Sequence, residues 1–313
     1  MSAAQAEALE SGARQLLAQA DLAGAATRLQ EAADLWREIN SDDRAASCLL
    51  LAASTWRLAG VLDASHAMVE QATALTMSPE LARGFELERA EQALARGHPA
   101  QAHALMDAFL EHYGGQLDPL LRAQVLQRRA AAATAAHHWP QAASDFSAAA
   151  ELLQAAGHAA DAEAARLAGA AALAHSDTLA AESAWDELVA LPASDGAAAA
   201  RRGLVGGHIA LLRGDLPAAV QRFDAARQGA LDARDALSYL AASTHAADVL
   251  VELDLAQQAY ARLATAWVTL GDLLGREAGA DLVRPPMLRL RERLGEPVFG
   301  RVREGYEVAR RRP

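Results

Sequence analysis

A pattern of small and apolar positions recurs along this chain. A small residue is followed four positions later by a large apolar one, and three beyond that by a further apolar residue, usually alanine. It occurs at Ala25/Leu29/Ala32, Ser65/Val69/Ala72, Ala102/Met106/Phe109, Ala142/Phe146/Ala149, Ala181/Trp185/Leu188, Ala219/Phe223/Ala226 and Ala259/Leu263/Ala266. The leading residues stand 40, 37, 40, 39, 38 and 40 positions apart. Offsets of four and seven share one side of an α-helix, so each triplet predicts the buried stripe of an amphipathic helix. The small residue suits a close crossing of two antiparallel helices, where only a Cβ fits between backbones and the large neighbour fills the gap.

Start signals precede most of these helices: Asp21-Leu22, Gly97-His98-Pro99, His138-Trp139-Pro140, Asp177-Thr178, Gly214-Asp215-Leu216-Pro217 and Asp254-Leu255. Glycine ends one helix, aspartate can cap the next, and proline is tolerated in the first turn, where its missing N–H would be unbonded anyway. The segments before these signals carry stripes of their own, such as Leu9, Ala13, Leu16 and Ala20, or Leu204, Gly207 and Leu211. Each repeat therefore reads as helix, tight turn, helix. Longer breaks at residues 40–43, 77–79, 117–119 and 192–196 join one pair to the next.

The run Gly214-Asp215-Leu216-Pro217-Ala218-Ala219-Val220-Gln221-Arg222-Phe223-Asp224-Ala225-Ala226 resembles the inter-helix turn and second helix of the tetratricopeptide-repeat superfamily, with Gly207 in the place of that family's first-helix glycine. Ala90, Ala93, Ala130 and Ala133 stand where the family favours glycine and tyrosine, and the period here exceeds the family's usual length of about 34. The resemblance implies an all-α fold, a right-handed superhelical solenoid of antiparallel helix pairs. About seven pairs are expected over residues 1–280, with a C-terminal capping helix or helix pair and a basic tail over 281–313. Pro285-Pro286 is expected to stop one helix, with two more following, Met287 to Leu294 and Pro297 to Arg310, divided by Gly295.

Composition narrows the function. At 52% hydrophobic but only 4% aromatic, the apolar content is mostly alanine and leucine, both strong helix formers. A net charge of −11 and a pI near 5.4 argue against binding nucleic acid or anionic membranes, which takes a basic surface. The basic exception is local: Arg301, Arg303 and the run Arg310, Arg311, Arg312. No apolar run reaches the roughly 18 residues of a membrane span. The lone Cys48 precludes an intramolecular disulfide and sits in an apolar run that predicts a buried, inert thiol. The opening Met-Ser-Ala-Ala-Gln-Ala-Glu has no basic segment and apolar core of a secretory signal, so a cytoplasmic protein is expected.

No enzyme signature appears, and neither a catalytic residue nor a cofactor is expected. Gly203, Gly206 and Gly207 lead into His208 without the lysine of a phosphate-binding loop, so helix packing explains them better. The ten histidines lack metal-ligand spacing, and Asp42 with Asp43, or Asp232 with Asp235, fall at expected turns where they can bond backbone. Gly114-Gly115-Gln116 reads as a helix stop.

In a right-handed stack the first helices line the concave side, which makes their polar residues outside the stripe the candidate ligand-facing set: Arg14, Arg57, Glu91, Gln127, Arg166, Arg201, His208 and Thr244. His208 could instead be a core histidine, given Ile209 and Leu211 nearby. Mixed polarity suggests a protein or peptide partner held by a non-enzymatic adaptor or regulatory scaffold. The alternative is a receptor whose curvature changes on binding a small molecule or signalling peptide. Trp36, Trp139 and Trp267 lie near turns or helix ends, where partial exposure could support a homo-oligomer.

Overall fold

The computed structural model describes residues 3–311 and contains sixteen α-helices, with no strand among them. The chain forms two compact units, residues 1–145 and 146–313. The first holds α1 (Ala3–Ala18), α2 (Leu22–Glu38), α3 (Asp42–Leu58), α4 (Leu62–Ala72), α5 (Pro79–Ala95), α6 (Pro99–Tyr113), α7 (Pro119–Ala135) and the start of α8 (Trp139–Ala155). The second holds the rest of α8, then α9 (Ala159–Leu173), α10 (Thr178–Val189), α11 (Gly196–Leu212), α12 (Leu216–Asp232), α13 (Ala236–Glu252), α14 (Ala256–Leu274), α15 (Arg276–Leu294) and α16 (Glu296–Arg311). Arg312 of the basic run lies outside the described residues.

One turn device recurs at nine connections. The backbone N–H three residues past the helix bonds back five residues, as Asp21 does to the Leu16 carbonyl at 2.9 Å, Val61 to Trp56 at 2.9 Å and Asp215 to Ala210 at 2.9 Å. Between them sits a residue with positive φ: Ala20, Asn40, Gly60, Gly97, His137, Gly157, Gly214, Arg234 or Asp254. The next residue is the cap of the following helix, so a single left-handed residue closes one helix and aims the chain into the next. Asp21, Asp215 and Asp235 then accept from the first-turn amides of α2, α12 and α13.

The recurring stripes pack as the periodicity predicts. All members of the triplets led by Ala25, Ser65, Ala102, Ala219 and Ala259 are buried. In the other two, Phe146, Trp185 and Leu188 are half-buried, and none is exposed. The small residues have the expected cause. A Cβ on Gly203 would stand 2.6 Å from the Ala226 nitrogen, and one on Gly207 would collide with the Phe223 ring, so these glycines let α11 lie close on α12.

Three expectations need correction. Pro285 and Pro286 do not stop a helix: α15 runs through them. They remove the ladder donors to Asp281 and Leu282, but Asp281 is exposed, where water can satisfy its carbonyl. The stripe Gly279, Val283, Pro286 and Leu290 stays buried, and a Cβ on Gly279 would stand 2.5 Å from the Gly271 nitrogen, so close packing on α14 keeps the helix intact. Asp254 does not cap α14; it occupies the left-handed turn position, and Leu255 is the cap residue. Trp36 is buried rather than partly exposed, because its Nε1 donates to Glu10 Oε1 at 2.8 Å and the Arg44 guanidinium lies 4.6 Å from its ring. Trp139 is half-buried and Trp267 exposed.

Candidate functional site

Seven of the eight first helices present a four-position face, offset by three, seven and ten residues, that the repeat packing leaves at least partly exposed. In the first unit it comprises Glu7, Glu10, Arg14 and Leu17 of α1; Ser47, Leu50, Ser54 and Arg57 of α3; Gly84, Leu87, Glu91 and Leu94 of α5; and Gln124, Gln127, Ala131 and Thr134 of α7. In the second it comprises Arg201, Leu204, His208 and Leu211 of α11; Ala241, Thr244, Asp248 and Val251 of α13; and Asp281, Arg284, Leu288 and Arg291 of α15. Not one of these positions is buried. Offsets of three, seven and ten fall within a narrow arc of a helix, so each set is one strip. Arg14, Arg57, Glu91 and Gln127 fall on the strips of the first unit, and Arg201, His208 and Thr244 on those of the second. Arg166 is exposed on α9, where the corresponding strip is interrupted by the buried Ala170, and its Nη2 lies 3.5 Å from Gln154 Oε1 on α8.

The strips differ in how tightly their charges are held. Arg14 has a side chain 76% exposed, with only Glu10 Oε2 at 3.4 Å. Glu10 itself is shared with Trp36 and with Arg44, whose Nη2 lies 3.2 Å away. Arg57 is committed inward. Its Nε donates to Glu88 Oε1 at 2.9 Å and its Nη2 to Oε2 at 3.2 Å, and Glu88 is buried. The residue that fixes Arg57 was missed by sequence reasoning; its signal was a carboxylate three residues before Glu91, inside the packed arc of α5. Glu91 stands between Arg57 Nη1 at 3.7 Å and Arg128 Nε at 3.2 Å, so α3, α5 and α7 are linked by one run of charges.

In the second unit His208 donates Nδ1–H to the Leu204 carbonyl at 2.9 Å. Its ring meets His245 at 4.5 Å and Phe223 at 5.3 Å, so it is half core residue and half surface. Burial, and then the neighbouring His208, hold the His245 imidazole below its ordinary pKa, with Asp248 opposing. Arg201 is exposed in the field of Asp195 and Asp235. The Ala198 amide and the Ser238 hydroxyl, respectively, are the main causes holding those carboxyls below the usual range. These residues offer donors, acceptors and apolar patches in alternation, which suits recognition of an extended chain.

Of the carboxylates expected to bond backbone at turns, Asp42, Asp43 and Asp235 do, the first two from the first turn of α3, whereas Asp232 accepts from the Gln228 side chain. Asp42 Oδ2 accepts from the Thr76 amide at 3.1 Å and Asp43 Oδ1 from the Ser78 amide at 2.7 Å, holding the loop before α5. Gly114 closes α6 through a 2.9 Å bond to the Leu110 carbonyl. Cys48 is buried, and burial first, then the charge of Glu10, pushes its thiol up to about 12. Among the described residues no helix is long and apolar enough to cross a membrane.

No family model matches the chain, and no curated protein does. Solved structures match over most of its length. RapI in its apo form aligns with a TM-score of 0.64 at 9% identity, covering 93% of this chain and 87% of that one. The apo quorum sensor NprR from B. thuringiensis gives 0.57 at 14%, covering 91% and 81%. NprR in complex with its cognate peptide NprX gives 0.51 at 12%, covering 92% and 84%. A tetratricopeptide-repeat protein from Parabacteroides merdae ATCC 43184 gives 0.57 at 13%, covering 90% and 98%. The chain has the fold of the tetratricopeptide-like helical solenoids, an all-α array of antiparallel helix pairs.

Proposed function

We propose that this protein is a non-enzymatic, cytoplasmic adaptor or regulatory module that binds a peptide or protein segment along its first-helix strips. The observation that carries the reading is the partly exposed four-position face repeated on α1, α3, α5, α7, α11, α13 and α15, with mixed polarity in each unit. A face left at least partly exposed in every one of these helices, beside stripes that are buried, is a surface available to a ligand. The likeness to NprR with its peptide supports a peptide ligand, and with it a signalling receptor as the second reading.

Arg57 is a poor probe of this surface, because its loss would expose Glu88 to an unpaired, buried state. Arg14, Gln127, Arg201 and Thr244 are better. Peptides would be selected from a displayed random library on the full chain and measured by fluorescence anisotropy. Arg14→Glu/Gln127→Glu and Arg201→Glu/Thr244→Glu variants would be run beside the wild type, with helicity checked by circular dichroism. The reading expects at least one pair to weaken binding by about tenfold or more. Equal binding by both variants would place the site elsewhere and sink it.

A further inference from the structure

The C-terminal helices of the second unit carry another surface, on different residues from the first-helix strips. α14, α15 and α16 border a cavity of about 550 Å³. Tyr260, Ala264 and Trp267 form one wall, at offsets of four and seven along α14. Phe299 and Tyr306 of α16 stand opposite, and Met287 contributes from α15. The Phe299 and Tyr306 rings lie 5.4 and 5.5 Å from Tyr260, turned 74° and 68° to it, so the rings brace one another edge to face and leave the cleft open. Trp267 is 37% exposed.

A helix pair that merely covers the end of an array should present a polar outer side. Here four of the chain's fourteen aromatic residues converge on a solvent-facing cleft. Rigid aromatics in a pocket with a charged rim are the composition of an interface anchor site. The rim is Arg303 and Glu307, whose nearest atoms are 3.9 Å apart and whose side chains are both more than half exposed, so the pair is loose. Charge then selects the occupant. Residues 276–313 contain ten arginines against six carboxylates, in a chain whose net charge is −11. Arg303 lines the cleft, while Arg289 and Arg301, exposed and in no ion pair among the described residues, add to the positive field of the segment without lining it.

We propose that this cleft is a second docking site, for an acidic protein segment that inserts an aromatic or large aliphatic side chain among Tyr260, Trp267, Phe299 and Tyr306. The rings bury the anchor, and Arg303 at the rim, within a segment of net positive charge, favours carboxylates beside it. Glu307, by contrast, opposes such a partner, and its removal should tighten binding.

The test uses the full chain and two sets of dye-labelled helical peptides. The sets share Leu, Phe or Trp anchors and differ in having Glu or Lys on the flanks; binding is followed by fluorescence anisotropy. The expected result is Glu-flanked peptides binding about tenfold or more tighter than their Lys-flanked counterparts. Trp267→Ala and Arg303→Glu, both at exposed positions, should each weaken the Glu-flanked set about tenfold with helicity unchanged, and Glu307→Gln should strengthen it. Arg14→Glu, on the first-helix strip, should leave it alone, so failure here is distinguishable from failure of the first-helix site. No binding by any Glu-flanked peptide, equal binding of the two sets, or wild-type binding by Trp267→Ala overturns the proposal. So does sedimentation showing that the wild-type chain self-associates and Trp267→Ala does not, since the occupant is then a second copy.

Discussion

Replacing Arg57 by alanine should cost the first unit about 3 kcal/mol, and the reason lies in Glu88 rather than in Arg57. The Glu88 side chain is 5% exposed and Arg57's is 18%, so solvent can do little for either charge. Both carboxylate oxygens of Glu88 accept from Arg57, and what remains is the Ser65 hydroxyl, a distant 3.5 Å away. Breaking a buried pair from one side typically costs about 3–5 kcal/mol, because an uncompensated charge is left behind, and the residual exposure of Arg57 places this pair at the low end. Removing both charges is milder. Arg57→Met/Glu88→Met should fall within about 1 kcal/mol of wild type, since the side chains still fill the space and no buried charge is orphaned. A double-mutant cycle built on Arg57→Met, Glu88→Met and the pair should then show at least about 2 kcal/mol of coupling.

Urea unfolding followed by circular dichroism measures these differences. An array of repeats can unfold in stages, so amide exchange in α3 and α5 should be read beside it. A cost for Arg57→Ala under about 1 kcal/mol, the value of an exposed surface pair, would refute the reasoning. So would a double variant as unstable as the single one. Either result would return Arg57 to the set of residues free to meet a ligand.

Three other outcomes follow from the geometry. Ala20 holds φ at 60° in an exposed turn, so Ala20→Gly should stabilise the first unit by about 0.5–1 kcal/mol, seen as a higher urea midpoint; a lower midpoint would contradict the turn assignment. Cys48 should resist iodoacetamide in the folded chain at neutral pH and react once urea unfolds it, because a thiol raised to about 12 holds almost no thiolate; rapid native labelling would show that α3 opens readily. The folded His245 imidazole has a pKa below its ordinary 6.5, so the native state binds fewer protons than the unfolded chain just below that value. The stability it contributes is present above 6.5 and is lost as pH falls toward the folded pKa. The urea midpoint of wild type should therefore drop between about pH 7 and about pH 5 by more than that of His245→Phe, and equal drops would count against it.

How far the chain was legible depends on which physical term decides each feature. The stripes led by Ala25 and Ala219 were readable because helix period and small-residue spacing are local properties of the chain, and burial simply ratified them. The turns were half readable. Gly60, Gly97 and Gly214 announce a left-handed residue, whereas Ala20, His137 and Asp254 adopt the same φ under the force of the packed helices on either side. That is why Asp254 read as a cap. Pro285-Pro286 misled for a related reason: local propensity opposed the helix, and the close approach of Gly279 to Gly271 decided in its favour.

The candidate surface was legible as a face but not in its energetics. Spacing alone put Arg14, Glu91 and His208 at one register of three first helices, and all three lie on strips left at least partly exposed. What spacing could not say is which charges are already spent. Arg57 and Arg14 occupy comparable strips in α3 and α1, yet one holds a buried carboxylate and the other stands in solvent. The difference comes from Glu88, which is thirty-one residues from Arg57 and is brought to it only by the stacking of α5 on α3. A repeat array makes each helix predictable from its own sequence and makes each surface a property of two neighbours. On the proposed reading a partner would meet residues like Arg14 and Trp267, which the stacking leaves exposed, and not every polar residue that the helical period turns outward.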